Sequence, residues 1–180
     1  MKDVGWWAVY EIGQRLTDRF DDVPVEEIGS RYPRVFIAGD ACHTHSAKAG
    51  QGMNVSMNDT WNLGWKLASV LRGQAREELL YTYSGERQKV AQQLIDFDRE
   101  FAKMFSAHPT EEGGDGGVDP EEFQQYFITQ GRFTAGVATK YAPSMITAEP
   151  LFEHLAEGYP VGMRFHSRRW CGWPTPSPCS

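Results

Sequence analysis

The stretch "RVFIAGDACHTHSAKAGQGMN", residues 34 to 54, constrains this chain more than any other. A short apolar run ends at Gly39-Asp40, a glycine-bearing loop follows, and an amphipathic segment begins near Met53. An acid at the carboxyl end of a strand, then a glycine loop and a helix start, is the layout of an α/β binding crevice. "RVFIAGD" reads as a strand buried on both faces, as in a parallel sheet. Asp40 can accept hydrogen bonds from a sugar-like diol. Gly50 and Gly52 let the backbone approach a flat ligand. The amides of Gly52, Met53 and Asn54 stand at a helix start, where N–H groups lack intrahelical partners and the dipole favours negative charge.

Other uses of the same residues are weaker. A phosphate loop would end in lysine followed by Ser/Thr, and this loop does not. Cys42, His43 and His45 invite a zinc reading, but His108, His154 and His166 are scattered and form no second ligand cluster. No metal site is expected, and His43 and His45 read as hydrogen-bonded structural residues.

The flanking sequence supplies the frame. Residues 4 to 17 are aromatic and β-branched and read as one or two strands. A helix is expected from about Met53 to Arg72, with Gly73 at its C-terminal cap and Met53, Met57, Trp61, Leu67, Ala68 and Leu71 as its apolar stripe. A second is expected from about Glu77 to Phe105. Its stripe is Leu80, Tyr83, Arg87, Val90, Leu94, Phe97, Phe101 and Met104, and Gly85 weakens its start. Both stripes, with Trp61 and Trp65, read as core. "HPTEEGGDGGVD" is a linker. Asp119, Pro120 and Glu122 then read as N-cap, first-turn proline and capping-box acid of a short helix, weakened by Gly131 and Gly136.

A formal charge of −6 argues against nucleic-acid or anionic-membrane partners. No apolar run is long enough to span a bilayer. Three cysteines, Cys42, Cys171 and Cys179, suit a reducing cytoplasm.

The block "RVFIAGDACHTHSAKAGQGMNVSMNDTWNLGWKL", with "YEIGQRLTDRF" before it and "TYSGERQKVAQQLIDFDREFAKMFS" after it, resembles the class A aromatic-ring hydroxylases. These are single-component FAD monooxygenases, and the similarity is to the branch holding phenol 2-monooxygenase and 3-hydroxybenzoate 4-monooxygenase. It covers roughly residues 3 to 167. The resemblance implies an α/β fold: the C-terminal part of a glutathione-reductase-like FAD-binding domain with long helices, then the start of a thioredoxin-like domain. The corresponding divisions are 1–107, a 108–118 linker and 119–167.

By resemblance, Asp40, following Gly39, binds the ribityl hydroxyls of FAD. The loop from Ala47 through Gly50, Gln51, Gly52 and Met53 to Asn54 wraps the isoalloxazine ring, with the amides of residues 52 to 54 at its N1/O2 edge. The implied chemistry is reduction by NAD(P)H, addition of O2 to give a C4a-hydroperoxide, and oxygen transfer to a phenolic ring, with water kept out until transfer. Many relatives carry proline where this chain has Ala47, so the carbonyl is retained without the locked φ. Tyr10 reads equally as a neighbour of substrate and flavin or as a buried strand tyrosine, and Arg15 is likewise open between a functional and a structural role.

The G-x-G-x-x-G fingerprint that would seat the ADP half is absent from the chain, which implies a C-terminal portion unable to hydroxylate alone. Relatives of this kind form homodimers, so the competing reading is a non-catalytic dimerisation or scaffold fragment. The tail "RRWCGWPTPSPCS" breaks the expected strand pattern. Permitted codons for it, regrouped with one added base, encode APVVRLADAKPVQ, which has the alternation of a strand. The expectation is a shifted reading frame after Ser167, leaving residues 168 to 180 without an evolved role or fixed structure.

Overall fold

A computed structural model describes residues 5–9, 11, 13–47, 50–106, 119–155 and 158–164. Tyr10, the expected 108–118 linker and the 168–180 tail lie outside the described residues.

The described residues are helix-rich. Strands β1 (Arg15–Leu16) and β2 (His43–Thr44) pair antiparallel, and three helices follow: α1 (Gly52–Leu71), α2 (Tyr81–Ser106) and α3 (Pro120–Thr134). Short 3-10 turns occupy Val25–Glu27, Gly39–Ala41, Glu77–Leu80 and Glu153–Leu155.

Helix α2 is the spine, and its composition explains why. Val90, Leu94, Phe97 and Phe101 recur at helical spacing and are buried with Val55 of α1. Phe123, Tyr126 and Phe133 of α3 pack on them, with Phe97 and Tyr126 stacked at 6.0 Å between ring centroids. Tyr83 and Ala91 look the other way, onto Phe20 and Cys42, with Leu16, Phe36, Ile37 and Leu63 at the edge. Each such side chain taken from water contributes about 1.5–3 kcal/mol. Helix α3 is capped as its sequence requires: the Asp119 carboxylate accepts from the Glu121 amide at 2.9 Å, and the helix ends before Gly136, whose φ is +70°.

Three expectations are corrected. Residues 5–9 carry no strand, and Trp6, Trp7 and Val9 are exposed; among the described residues of the segment only Arg15–Leu16 pairs as a strand. Residues 34–38 are extended but make one antiparallel bridge, Asp21 to Phe36, and Val35 is exposed, so this is no doubly buried parallel strand. Alternation prepares a strand, but a ladder needs a neighbour: among the described residues, 5–9 have none, and 34–38 meet only the short segment Phe20–Asp22.

The third correction concerns α1. Its bounds and its cap at Gly73 (φ +69°) agree with the sequence reading, but its buried residues are Val55, Asp59, Asn62 and Lys66. Met53, Met57, Trp61, Trp65 and Leu71 face outward, with Trp61 77% exposed. Charges on α2 draw the polar stripe inward: Lys66 Nζ and Asn62 Nδ2 donate to Glu86 Oε2 at 2.6 and 2.8 Å, and Arg87 Nε donates to Asp59 Oδ1 at 2.7 Å. Burial holds the Lys66 ammonium below its ordinary pKa, against the opposing pull of Glu86.

Beyond residue 136 the described chain forms isolated bridges, Lys140 to Met163 and Ser144 to Thr147. Among the described residues, no helix is long and apolar enough to cross a membrane.

Candidate functional site

The extended backbone of Ala38 (φ −147°, ψ 154°) is turned at Gly39, whose φ is +61°. An L side chain there would be strained, and its Cβ would lie 3.0 Å from that of Ser56. The turn closes with the Cys42 amide on the Gly39 carbonyl at 2.8 Å and leaves Asp40 exposed. Ser56 Oγ of α1 donates to Asp40 Oδ1 at 3.5 Å. After β2 the chain turns again at Gly50 (φ +65°), with the Gly50 amide on the Ala47 carbonyl at 3.2 Å. The Val55 amide bonds the Gln51 carbonyl at 3.1 Å, so the amides of residues 52 to 54 sit at the mouth of α1, ahead of it.

These turns open onto a cleft of roughly 780 Å³. Six of the eight residues expected to hold a cofactor line it: Gly39, Asp40, Ala47, Gly50, Gly52 and Met53. Glu11, Gly13 and Arg15 from the first segment complete it, which draws Arg15 into the site. Gln51 and Asn54 instead line a second cleft of roughly 700 Å³, shared with Arg87, Phe133 and Tyr141. The helical screw carries the Asn54 side chain around to the α3 side, so only its amide remains at the helix start.

The loop's shape is held by buried polar groups behind it. Asp59, fully buried, accepts from the Gly39 amide at 3.2 Å and from Arg87, and its Oδ2 lies 2.8 Å from His43 Nε2. His43 is therefore a structural residue whose Nε2–H faces a carboxylate, while its Nδ1 is buried without a hydrogen-bond partner among the described residues. His45 Nδ1 meets the Ser46 carbonyl at 2.8 Å. A Cβ on Gly52 would sit 2.4 Å from His45 Cε1, so any side chain there would push the His45 ring aside. At the other end, Asp98 of α2 holds Ser46 and Gln14. Cys42 is buried, and burial, with the Asp59 charge nearby, pushes its thiol up to about 12.

Asp59 and Asp98 escaped the sequence reading. The available signal was the helical spacing of Val55, Asp59, Asn62 and Lys66, which marks an inward stripe of mostly polar residues. Among the described residues, no group of three or more His, Cys, Asp and Glu side chains is placed to hold a metal ion.

The donor set fits the ribityl–isoalloxazine half of FAD. Asp40 offers an exposed carboxylate to hydroxyl donors, the space in front of Gly50 is open to a flat ring, and the helix start brings amides and dipole to the same cleft.

A family model described as FAD binding domain matches residues 24–98. The chain is 67% identical over 169 residues to 3-hydroxybenzoate 4-monooxygenase of Comamonas testosteroni, covering 93% of this chain and 26% of that protein. It is 40% identical to phenol 2-monooxygenase fsqG of Aspergillus fumigatus, covering 86% of this chain and 25% of that one. The solved structure of the rebeccamycin biosynthetic enzyme RebC with reduced flavin superposes with a TM-score of 0.54 at 25% identity, over 84% of this chain and 29% of that one. The chain thus spans about a quarter of the length of the curated relatives it matches.

Proposed function

We propose, from the match of residues 24–98 to the family model described as FAD binding domain, that the chain forms the flavin-ring side of an FAD- and NAD(P)H-dependent monooxygenase. The substrate class we infer is a phenolic ring of the phenol or 3-hydroxybenzoate type, with O2 as co-substrate. In this reading residues 1–107 are part of a glutathione-reductase-like FAD domain, and residues 119–167 open a thioredoxin-like domain that supports a homodimer.

The observation that carries the proposal is the cleft shared by Asp40, the loop glycines and the start of α1. When bound, FAD supplies the reduction by NAD(P)H and the activation of O2 at its C4a position. The chain's residues do the rest. Asp40 would accept from the ribityl hydroxyls. The amides of Gly52, Met53 and Asn54, with the α1 dipole, favour negative charge at the pyrimidine edge by roughly 0.3–1 kcal/mol. The Ala47 carbonyl and Gly50 would border the ring from the loop, and Tyr10 is placed by resemblance near substrate and ring.

The test is titration of the purified chain with FAD, followed by flavin fluorescence and the visible spectrum. Saturable binding that Asp40→Ala weakens about tenfold or more, without loss of stability, supports the reading. Absence of flavin binding even at millimolar concentration defeats it. The chain by itself is expected not to hydroxylate phenol or 3-hydroxybenzoate, so a stable stoichiometric complex with turnover would overturn the half-site part of the proposal.

One observation favours a second reading, a non-catalytic dimerisation fragment: Met53, Met57, Trp61 and Trp65 form an outward apolar strip on α1. Sedimentation of the flavin-free chain separates the two, because self-association without flavin binding supports only this alternative.

A further inference from the structure

We propose that Asp98 is a positioning residue that sets the spacing between the two sides of the cleft; the inference rests on reading that cleft as the flavin seat. Asp98 lies on α2, 1% exposed, and does not itself line the cleft. Its Oδ2 accepts from Gln14 Nε2 at 2.7 Å and from the Ser46 amide at 2.8 Å, and its Oδ1 accepts from Ser46 Oγ. Gln14 stands between Gly13 and Arg15, which line one side of the cleft, and Ser46 precedes Ala47 on the other. One carboxylate thus joins both sides to one helix. Arg99, the next residue on α2, steadies the clamp by donating from Nε to Gln14 Oε1 at 3.1 Å.

Packing alone does not call for an acid at this position. Leu94, Phe97 and Phe101 already fill the apolar side of α2, and a buried carboxylate is costly unless donors surround it. What the carboxylate adds is direction. Its lone pairs accept only along certain lines, so three donors from two distant segments are held at set distances from each other. The Thr44 hydroxyl, which donates to the Gly13 carbonyl at 2.6 Å, ties the same two segments one step further along. Asp98 decides how far the loop bearing Ala47 stands from the segment bearing Arg15.

The test is amide hydrogen exchange on the whole 180-residue chain, without flavin, with flavin affinity measured in parallel. Asp98→Ala is expected to speed exchange of the Ser46 amide by about tenfold or more, with peptides from α1 and α3 unchanged. Asp98→Asn, which keeps an acceptor oxygen, should fall between. Leu94→Ala is the packing control and should raise exchange across α2 and its partners. Should Asp98→Ala fail to fold, Ser46→Ala and Gln14→Leu each remove a donor from the clamp and should reproduce a smaller local change. An unchanged Ser46 amide, or a rise spread evenly as in Leu94→Ala, overturns the proposal. If the wild-type chain binds no flavin, the reading of the cleft fails while the exchange result still decides the role of Asp98. If it binds flavin and Asp98→Ala binds equally well, Asp98 does not set the spacing.

Discussion

Arg87 Nε donates to Asp59 Oδ1 at 2.7 Å where both side chains are all but closed to solvent. The same carboxylate receives the Gly39 amide and faces His43, so an ion pair between two helices also holds the turn that presents Asp40. Removing one partner leaves the other charge stranded in a low dielectric. Asp59→Leu or Arg87→Met is expected to cost about 3–5 kcal/mol in urea unfolding, and the double variant Asp59→Leu/Arg87→Met less than the sum of the two. Strict additivity would mean the pair is not coupled.

Gly52 and Gly64 occupy the same helix but different surroundings. A Cβ at Gly52 meets the His45 ring at 2.4 Å, whereas one at Gly64 meets nothing within 4 Å. Gly52→Ala should therefore cost about 1–3 kcal/mol and displace His45 from the Ser46 carbonyl. Gly64→Ala should stabilise by roughly 0.4–1 kcal/mol, since it lowers only the entropy of the unfolded chain. Thermal unfolding of both variants gives the two signs directly.

Cys42 should resist alkylation. Its thiol is pushed up to about 12 by burial, then by the nearby Asp59 charge, so the folded chain holds almost no thiolate at pH 8. Iodoacetamide followed by peptide mapping should leave Cys42 unmodified in the native chain and label it in urea. The linkage has a definite sign. Above about pH 8.5 the unfolded thiol releases its proton and the folded one does not, so this contribution to stability is lost as pH rises toward 12. Stability that increases over this interval would contradict the assignment.

Two aromatic residues distinguish the inner and outer surfaces of the helices. Phe97, buried among Phe101, Tyr126 and Phe133, should cost about 3–5 kcal/mol on replacement by alanine. Trp61, 77% exposed, should change stability by no more than about 0.5 kcal/mol. A loss at Trp61 rivalling that at Phe97 would show that the outer strip of α1 is covered in solution.

What the sequence revealed depended on how local the cause was. The α2 stripe and the Asp119 cap were legible because each is written within a few turns of chain. Gly39 at the end of the apolar run and Gly50 in the loop were legible as glycines, and the structure gives both positive φ. The inward side of α1 was not, because hydrophobicity pointed to Met57 and Trp61 while Glu86 and Arg87, one helix later, recruited Lys66 and Asp59 instead. Asp98 was silent for the same reason: its meaning lies in Ser46, 52 positions earlier in the chain. The strands were over-read at 5–9 and 34–38, since a pleated sequence states a readiness to pair and not the presence of a mate.

The polar seam between α1 and α2 has a mechanical side. A greasy interface would let one helix slide past the other by a turn, about 5.4 Å, with little penalty. Here such slippage would carry Lys66 away from Glu86 and Arg87 away from Asp59, so the seam works as a ratchet with a single tooth. The first turn of α1 is delivered beside Asp40 at one height only.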